Sequence, residues 1–343
     1  MSRDYDKYGW KCNEDNLSTL PSSAPSAAHD LARWLTLEGR RSSVTEWINN
    51  VNPTDDRIHG KFWHIGAWTH RMSHSKPNQA NIMSCWPKDK EGKPVTPTTA
   101  VEEVKYKYDD ALRRCWTVPS GFFLVGADAE SIQLRILAHY MESKVYRDAI
   151  CSGDKDKETD IHNVNRRALG TDICKSRDAA KTWIYAWLLG AANAKQASIL
   201  GCTSAQAKKA EANFLEAMPE LRTLRSVQIK RDARRGFFYG LDGRKVKCNS
   251  EHLMLSGYLQ NGESIVVKNW VLATMKQAKM EGLPSRLVDV VHDETQIETS
   301  TEGVANRLLE VQKETIVQVG KDLGVKCPLA ADGRIGRSWY DTH

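Results

Sequence analysis

Three acidic residues sit where a folded chain could present them to a metal ion. Asp128 follows the apolar run Phe122, Phe123, Leu124 and Val125, and Asp293 with Glu294 tops two apolar segments, Arg286 to Val291 and Thr295 to Thr299. Strands that end side by side in one sheet would bring these carboxylates together from far apart in the chain, and converging carboxylates suit a hard cation. Mg²⁺ commonly takes one or two carboxylates plus substrate phosphates, so two aspartates suffice when a polyphosphate supplies the rest. Two such ions roughly 4 Å apart stabilise both the attacking and the leaving oxygen of an in-line displacement. Taken singly, each Asp is more often a turn or cap residue, and spacing does not show that they meet.

The segment Arg177 to Tyr185 offers the complementary charge. Arg177, Lys181 and Tyr185 stand at successive i+4 positions, hence along one stripe of a helix. A polyphosphate could lie along the two cations while the aromatic ring packs on a sugar; an ordinary solvated face has the same spacing. Basic pairs recur at Arg113 and Arg114, Arg166 and Arg167, Lys208 and Lys209, and Arg234 and Arg235, with Phe237 to Tyr239 nearby, so a nucleic-acid surface is plausible. His74, His162 and His292 lack the spacing of a helical metal motif, and neither a Walker-type phosphate loop nor a GxSxG elbow occurs.

The elements that must hold these groups follow from the pattern. A Pro/Ser/Ala stretch, Leu20 to Ala28, separates a polar head, expected to be loose, from a helix over His29 to Asn50. Ser75 to Thr99 is too rich in proline for a helix. Phe122 to Val125 reads as a buried strand broken at Gly126 to Asp128, followed by a helix through Leu137. Asp178 to Leu189, Ser204 to Ala217 and Ser256 to Met280 read as helices. The Asp242-Gly243 pair marks a tight turn, and His292 to Glu294 joins a hairpin. The order is mixed α+β rather than alternating βαβ.

Composition bounds the function. The chain has 343 residues, enough for about two domains, and Lys+Arg 49 against Asp+Glu 43 leaves a net charge of +6, a mild preference for polyanions. No stretch approaches the roughly 20 apolar residues of a membrane span. The first fifteen residues are too polar for a secretory signal, and eight scattered cysteines include no CxxC, so a reducing cytoplasm is the expected compartment.

Three of these segments together resemble the family A DNA polymerases, the bacterial polymerase I group, most closely the T7-like bacteriophage enzymes. Val125-Gly126-Ala127-Asp128-Ala129-Glu130-Ser131-Ile132-Gln133-Leu134-Arg135 is similar to motif A, Arg177 to Gly190 to motif B, and Val291-His292-Asp293-Glu294 to motif C. Ile58 to Phe62, Thr69 to Asn78, Leu241 to Val246 and Gly336 to Trp339 extend the resemblance over nearly everything beyond residue 30.

The resemblance implies a right-hand palm with helical fingers and template-directed DNA synthesis from primer-template DNA and dNTPs. Residues 1–52 would be a disordered head and thumb-base helix, 53–142 and 254–343 the palm, and 143–253 the fingers. Asp128, Asp293 and the Ala129 carbonyl would bind two Mg²⁺, with Glu294 beside them. Arg177, Lys181 and His162 would hold the triphosphate and Tyr185 the sugar, while Arg71, Gln260 and His292 would position primer and template. Gln133 stands where the family usually has glutamate and Leu189 where it has tyrosine, a pair that excludes the ribose 2′ hydroxyl; the lost charge predicts weaker rejection of ribonucleotides. Tyr185 should admit dideoxynucleotides. The thumb is largely missing, so a separate thumb and exonuclease polypeptide is expected. A single-subunit RNA polymerase and a non-catalytic DNA-binding replication subunit are the alternatives, and host cytoplasm is the expected location if a phage encodes the chain.

Overall fold

Four antiparallel strands carry the acidic residues, in the order Arg286–Val291, Glu294–Thr299, Phe123–Ala129, Ala331–Gly336. The computed structural model describes residues 5–6, 9–10, 12–89 and 91–343. The central strand Phe123–Ala129 is paired on both edges and covered on both faces, which is why it reads as one apolar run. Leu124 joins a cluster with Trp47, Met83 and Trp339, while Val125 points the other way onto Ala278, Ile297 and Leu308. Helix Glu302–Asp322 lies on the second face and is tied to helix Glu251–Met280, whose Trp270 indole donates to the Gln312 carbonyl at 2.8 Å.

Expectation and structure part in four places. The strand does not break at Gly126 but runs through Ala129, so Asp128 is its penultimate residue. Gly126 is a site of close approach: a Cβ there would lie 2.6 Å from the Gln296 amide and 2.7 Å from Thr342. The fourth strand, Ala331–Gly336, has too few β-formers to announce itself, and is selected by pairing with Phe123–Ala129. Helix Ala100–Arg114 was legible in the capping box of Thr99 and Glu102 yet lay outside the reading above. The head is not wholly loose: Glu14–Leu17 forms a helical turn, Leu17 is buried, and Glu14 accepts from Arg40 at 3.1 Å. The remainder of that expectation, at residues 1–4, 7–8 and 11, lies outside the described residues.

Helix Ser26–Asn49 runs alongside Ala100–Arg114, joined by a two-pronged Arg40–Asp109 pair at 2.8 and 2.9 Å. A run of helical elements from Ile132–Met141 to Lys230–Arg235 precedes the turn-linked strands Phe237–Tyr239 and Lys245–Lys247. Among the described residues no helix is long and apolar enough to cross a membrane, and Cys85 to Cys327 form no disulfide.

Candidate active site

The sheet register joins the two aspartates. Glu294 lies opposite Asp128, which places Asp293 at the tip beside it, and the Ala129 N–H donates to the Asp293 carbonyl at 3.0 Å. His292, at φ 54°, makes the left-handed turn that this tip requires. Asp128, Ala129 and Asp293 floor a cavity of about 290 Å³. Both carboxyls are pushed above the usual range. For Asp128 the causes are loss of water to the surrounding protein and then the Glu294 charge; for Asp293 they are burial and then Asp128 itself. Glu263 adds its charge to both.

Two carboxylates that repel one another, beside the Ala129 backbone, form a hard-oxygen set that suits Mg²⁺ completed by phosphate and water oxygens. Among the described residues no group of three or more His, Cys, Asp or Glu gathers as a metal cluster.

Helix Arg177–Leu188 forms the facing wall. Ser176 caps it by accepting from the Ala179 N–H at 3.1 Å, and Ala180, Trp183, Ile184, Trp187 and Leu188 bury one face. Trp183 and Trp187 both pack edge-on against Phe214, at 5.1 and 5.5 Å. The Arg177, Lys181, Tyr185 stripe borders that face: Lys181 is exposed, while Arg177 and Tyr185 are half-buried and Tyr185 packs against the core. Lys181 and Tyr185 reach the cavity with His162. Burial, followed by the Arg177 and Lys181 cations, pushes the His162 imidazole down to about 4, so the ring is neutral near pH 7. Its Nδ1 is buried without a partner.

Several expected residues are placed differently. Arg177 does not line the cavity; its guanidinium grips Asp160 through Nε at 3.0 Å and Nη2 at 2.7 Å. Leu189 lies beyond the helix, half exposed and off the cavity. Glu294 also stands outside the lining, accepting from the Trp339 indole at 2.6 Å and the Gln296 amide at 2.5 Å, with Arg113 at 3.8 Å. It therefore braces the strands beneath the aspartates. Gln260 is on helix Glu251–Met280 three residues before Glu263, and Arg71 reaches that helix by pairing with Glu263 at 2.6 Å.

Sequence reasoning missed Glu263. It is 1% exposed and also accepts from the Gln133 amide at 2.8 Å. The available signal was a lone carboxylate inside the run Leu259 to Val267, where burial demands partners.

An antiparallel sheet that lifts two aspartates toward a basic helical wall defines the class of right-hand polymerase palms with helical fingers. The chain belongs to DNA polymerase family A, whose family model matches residues 2–341. It is 29% identical to the DNA-directed DNA polymerases of Enterobacteria phage T3 and Escherichia phage T7, in each case over 92% of this chain and 46% of the relative. It is also 25% identical to DNA polymerase I of Chloroflexus aurantiacus, over 96% of this chain and 34% of that one. The chain thus spans about half the length, or less, of these curated relatives. A solved structure, the POL domain of Pol1 from M. smegmatis in complex with DNA primer-template and dNTP, superposes with a TM-score of 0.79 at 22% identity, covering 98% of this chain and 58% of that one. That likeness establishes the fold.

Proposed function

We propose that this chain carries out template-directed DNA synthesis, joining deoxynucleotides to a primer 3′ hydroxyl. The observation that carries the reading is the pairing of Asp128 with Asp293 on the floor of a cavity walled by Lys181, His162 and Tyr185. In this reading the two aspartates and the Ala129 carbonyl hold two Mg²⁺, which when bound supply charge neutralisation for the attacking and leaving oxygens. Lys181, which pairs with no carboxylate among the described residues, offsets negative charge on the departing pyrophosphate. Neutral His162 donates a hydrogen bond to a phosphate oxygen, and Tyr185 packs on the sugar. Arg177 acts from behind, oriented by Asp160, and Arg71, Gln260 and His292 face the primer and template. Base pairing, rather than these side chains, selects the base.

Primer extension with the four dNTPs tests the reading: incorporation that follows the template supports it. A product built only from ribonucleotides would favour the RNA polymerase alternative, and DNA binding without incorporation the non-catalytic one. We also propose that a separate polypeptide supplies grip on duplex DNA. Its support is the helix Ser26–Asn49, which leaves Leu31, Trp34 and Leu37 at 42, 60 and 39% exposure. Processive extension by this chain alone at physiological salt would count against it.

A further inference from the structure

Glu263 is a buried carboxylate that the chemistry above does not use. Its Oε2 accepts from both Arg71 Nη2, at 2.6 Å, and Gln133 Nε2, at 2.8 Å, while Oε1 is buried with no partner. A carboxylate only accepts, so this contact fixes which way the Gln133 amide is turned. Gln133 lines the same cavity as Ser131, Tyr185 and the two aspartates. Lys181 lies one helical turn before Tyr185 on helix Arg177–Leu188 and lines the same cavity. In the reading above, which packs Tyr185 on the sugar, Gln133 is a wall residue of the cavity that the sugar enters.

We propose that Glu263 is a positioning residue that holds Gln133 in one orientation against the sugar, and through the same oxygen ties that wall to Arg71. Selectivity at the sugar 2′ carbon then depends on Glu263. Untethered, a glutamine side chain has three rotatable bonds and swings aside for an added hydroxyl; tethered to a buried carboxylate, it does not. The inference rests on the polymerase reading above. It also recasts the substitution of glutamine for glutamate in motif A: the charge absent at Gln133 is present behind it, on another helix.

The test is single-nucleotide extension of a primer-template, comparing kcat/KM for dCTP with that for CTP. Glu263→Ala is expected to lower the ratio about tenfold, equal to about 1.4 kcal/mol. Gln133→Ala should lower it at least as far, and the double variant no further than Gln133→Ala alone, because Glu263 acts through Gln133. A ratio within twofold of the unsubstituted chain in Glu263→Ala, or losses that multiply in the double variant, overturns the proposal. If Glu263→Ala melts too low to assay, the near-isosteric exchange of Gln133→Glu with Glu263→Gln decides. A ratio within threefold of the unsubstituted chain supports the proposal, and a greater loss overturns it. No incorporation of dCTP by the unsubstituted chain overturns the polymerase reading and this proposal together, whereas incorporation with an unmoved ratio overturns this proposal alone.

Discussion

Replacing Asp293 with asparagine probes the acidic floor from two directions. The change keeps volume and removes one of two carboxylates whose ionised forms oppose each other. Because burial and the neighbouring Asp128 raise the folded-state pKa above its unfolded value, ionising Asp293 costs folding stability. That cost is absent below about pH 4 and grows as pH rises toward the folded pKa. Relieving the opposition by removing one of the two buried carboxylates is expected to be worth about 3 kcal/mol, the upper end of ordinary single-residue effects. A chain of this length unfolds with an entropy of about 0.7 kcal/mol/K, so the substitution should raise Tm by about 4 °C at pH 8. Melting curves recorded with a chelator at pH 5 and pH 8 measure it: the advantage of Asp293→Asn should be clear at pH 8 and shrink at pH 5. Mg²⁺ should raise the Tm of the unsubstituted chain more than that of the variant. Incorporation should fall by about a hundredfold or more in the same protein, since a metal-bound carboxylate supplies several kcal/mol to such a transition state. A variant that melts lower at pH 8, or by an equal margin at both pH values, would show that the carboxylates do not oppose each other.

Gly126→Ala should destabilise the chain by about 1–3 kcal/mol, read as a lower urea midpoint, because its Cβ would press on Gln296 and Thr342 beneath the acidic strand. Asp160→Asn should raise KM for dNTPs by freeing Arg177, with a stability loss of about 1–2 kcal/mol at pH 7. Burial opposes ionisation of Asp160, but Arg177 and Asn163 prevail and hold its carboxyl down at about 2, so the stabilisation is full above about pH 4 and disappears as pH falls toward 2. Affinity for primer-template DNA should fall steeply between 50 and 200 mM salt, as counterion release requires, and a slope near zero in a filter-binding titration would rule out phosphate contacts.

Much of the site was legible in one dimension. Asp128, Asp293 and the Arg177, Lys181, Tyr185 stripe were legible as candidates, because strand ends, hairpin tips and i+4 spacing are local properties, although spacing alone left a turn, cap or solvated-face reading open for each; the hairpin and helix Ser204–Ala217 form as their periodicity requires. Three-dimensional packing decided the rest. Ala129 bonds to Asp293 across 164 residues because the sheet register places them side by side. Arg177 turns from the stripe to Asp160 because a half-buried guanidinium is held by the carboxylate within its reach, a contact that helix propensity does not encode. Strand Ala331–Gly336 exists because the open edge of Phe123–Ala129 needs a partner. Glu263 acquires meaning only where helix Glu251–Met280 crosses behind Gln133, 130 residues away in sequence. Local spacing determines which groups can face one direction, and the long-range burial of apolar faces determines what they meet there.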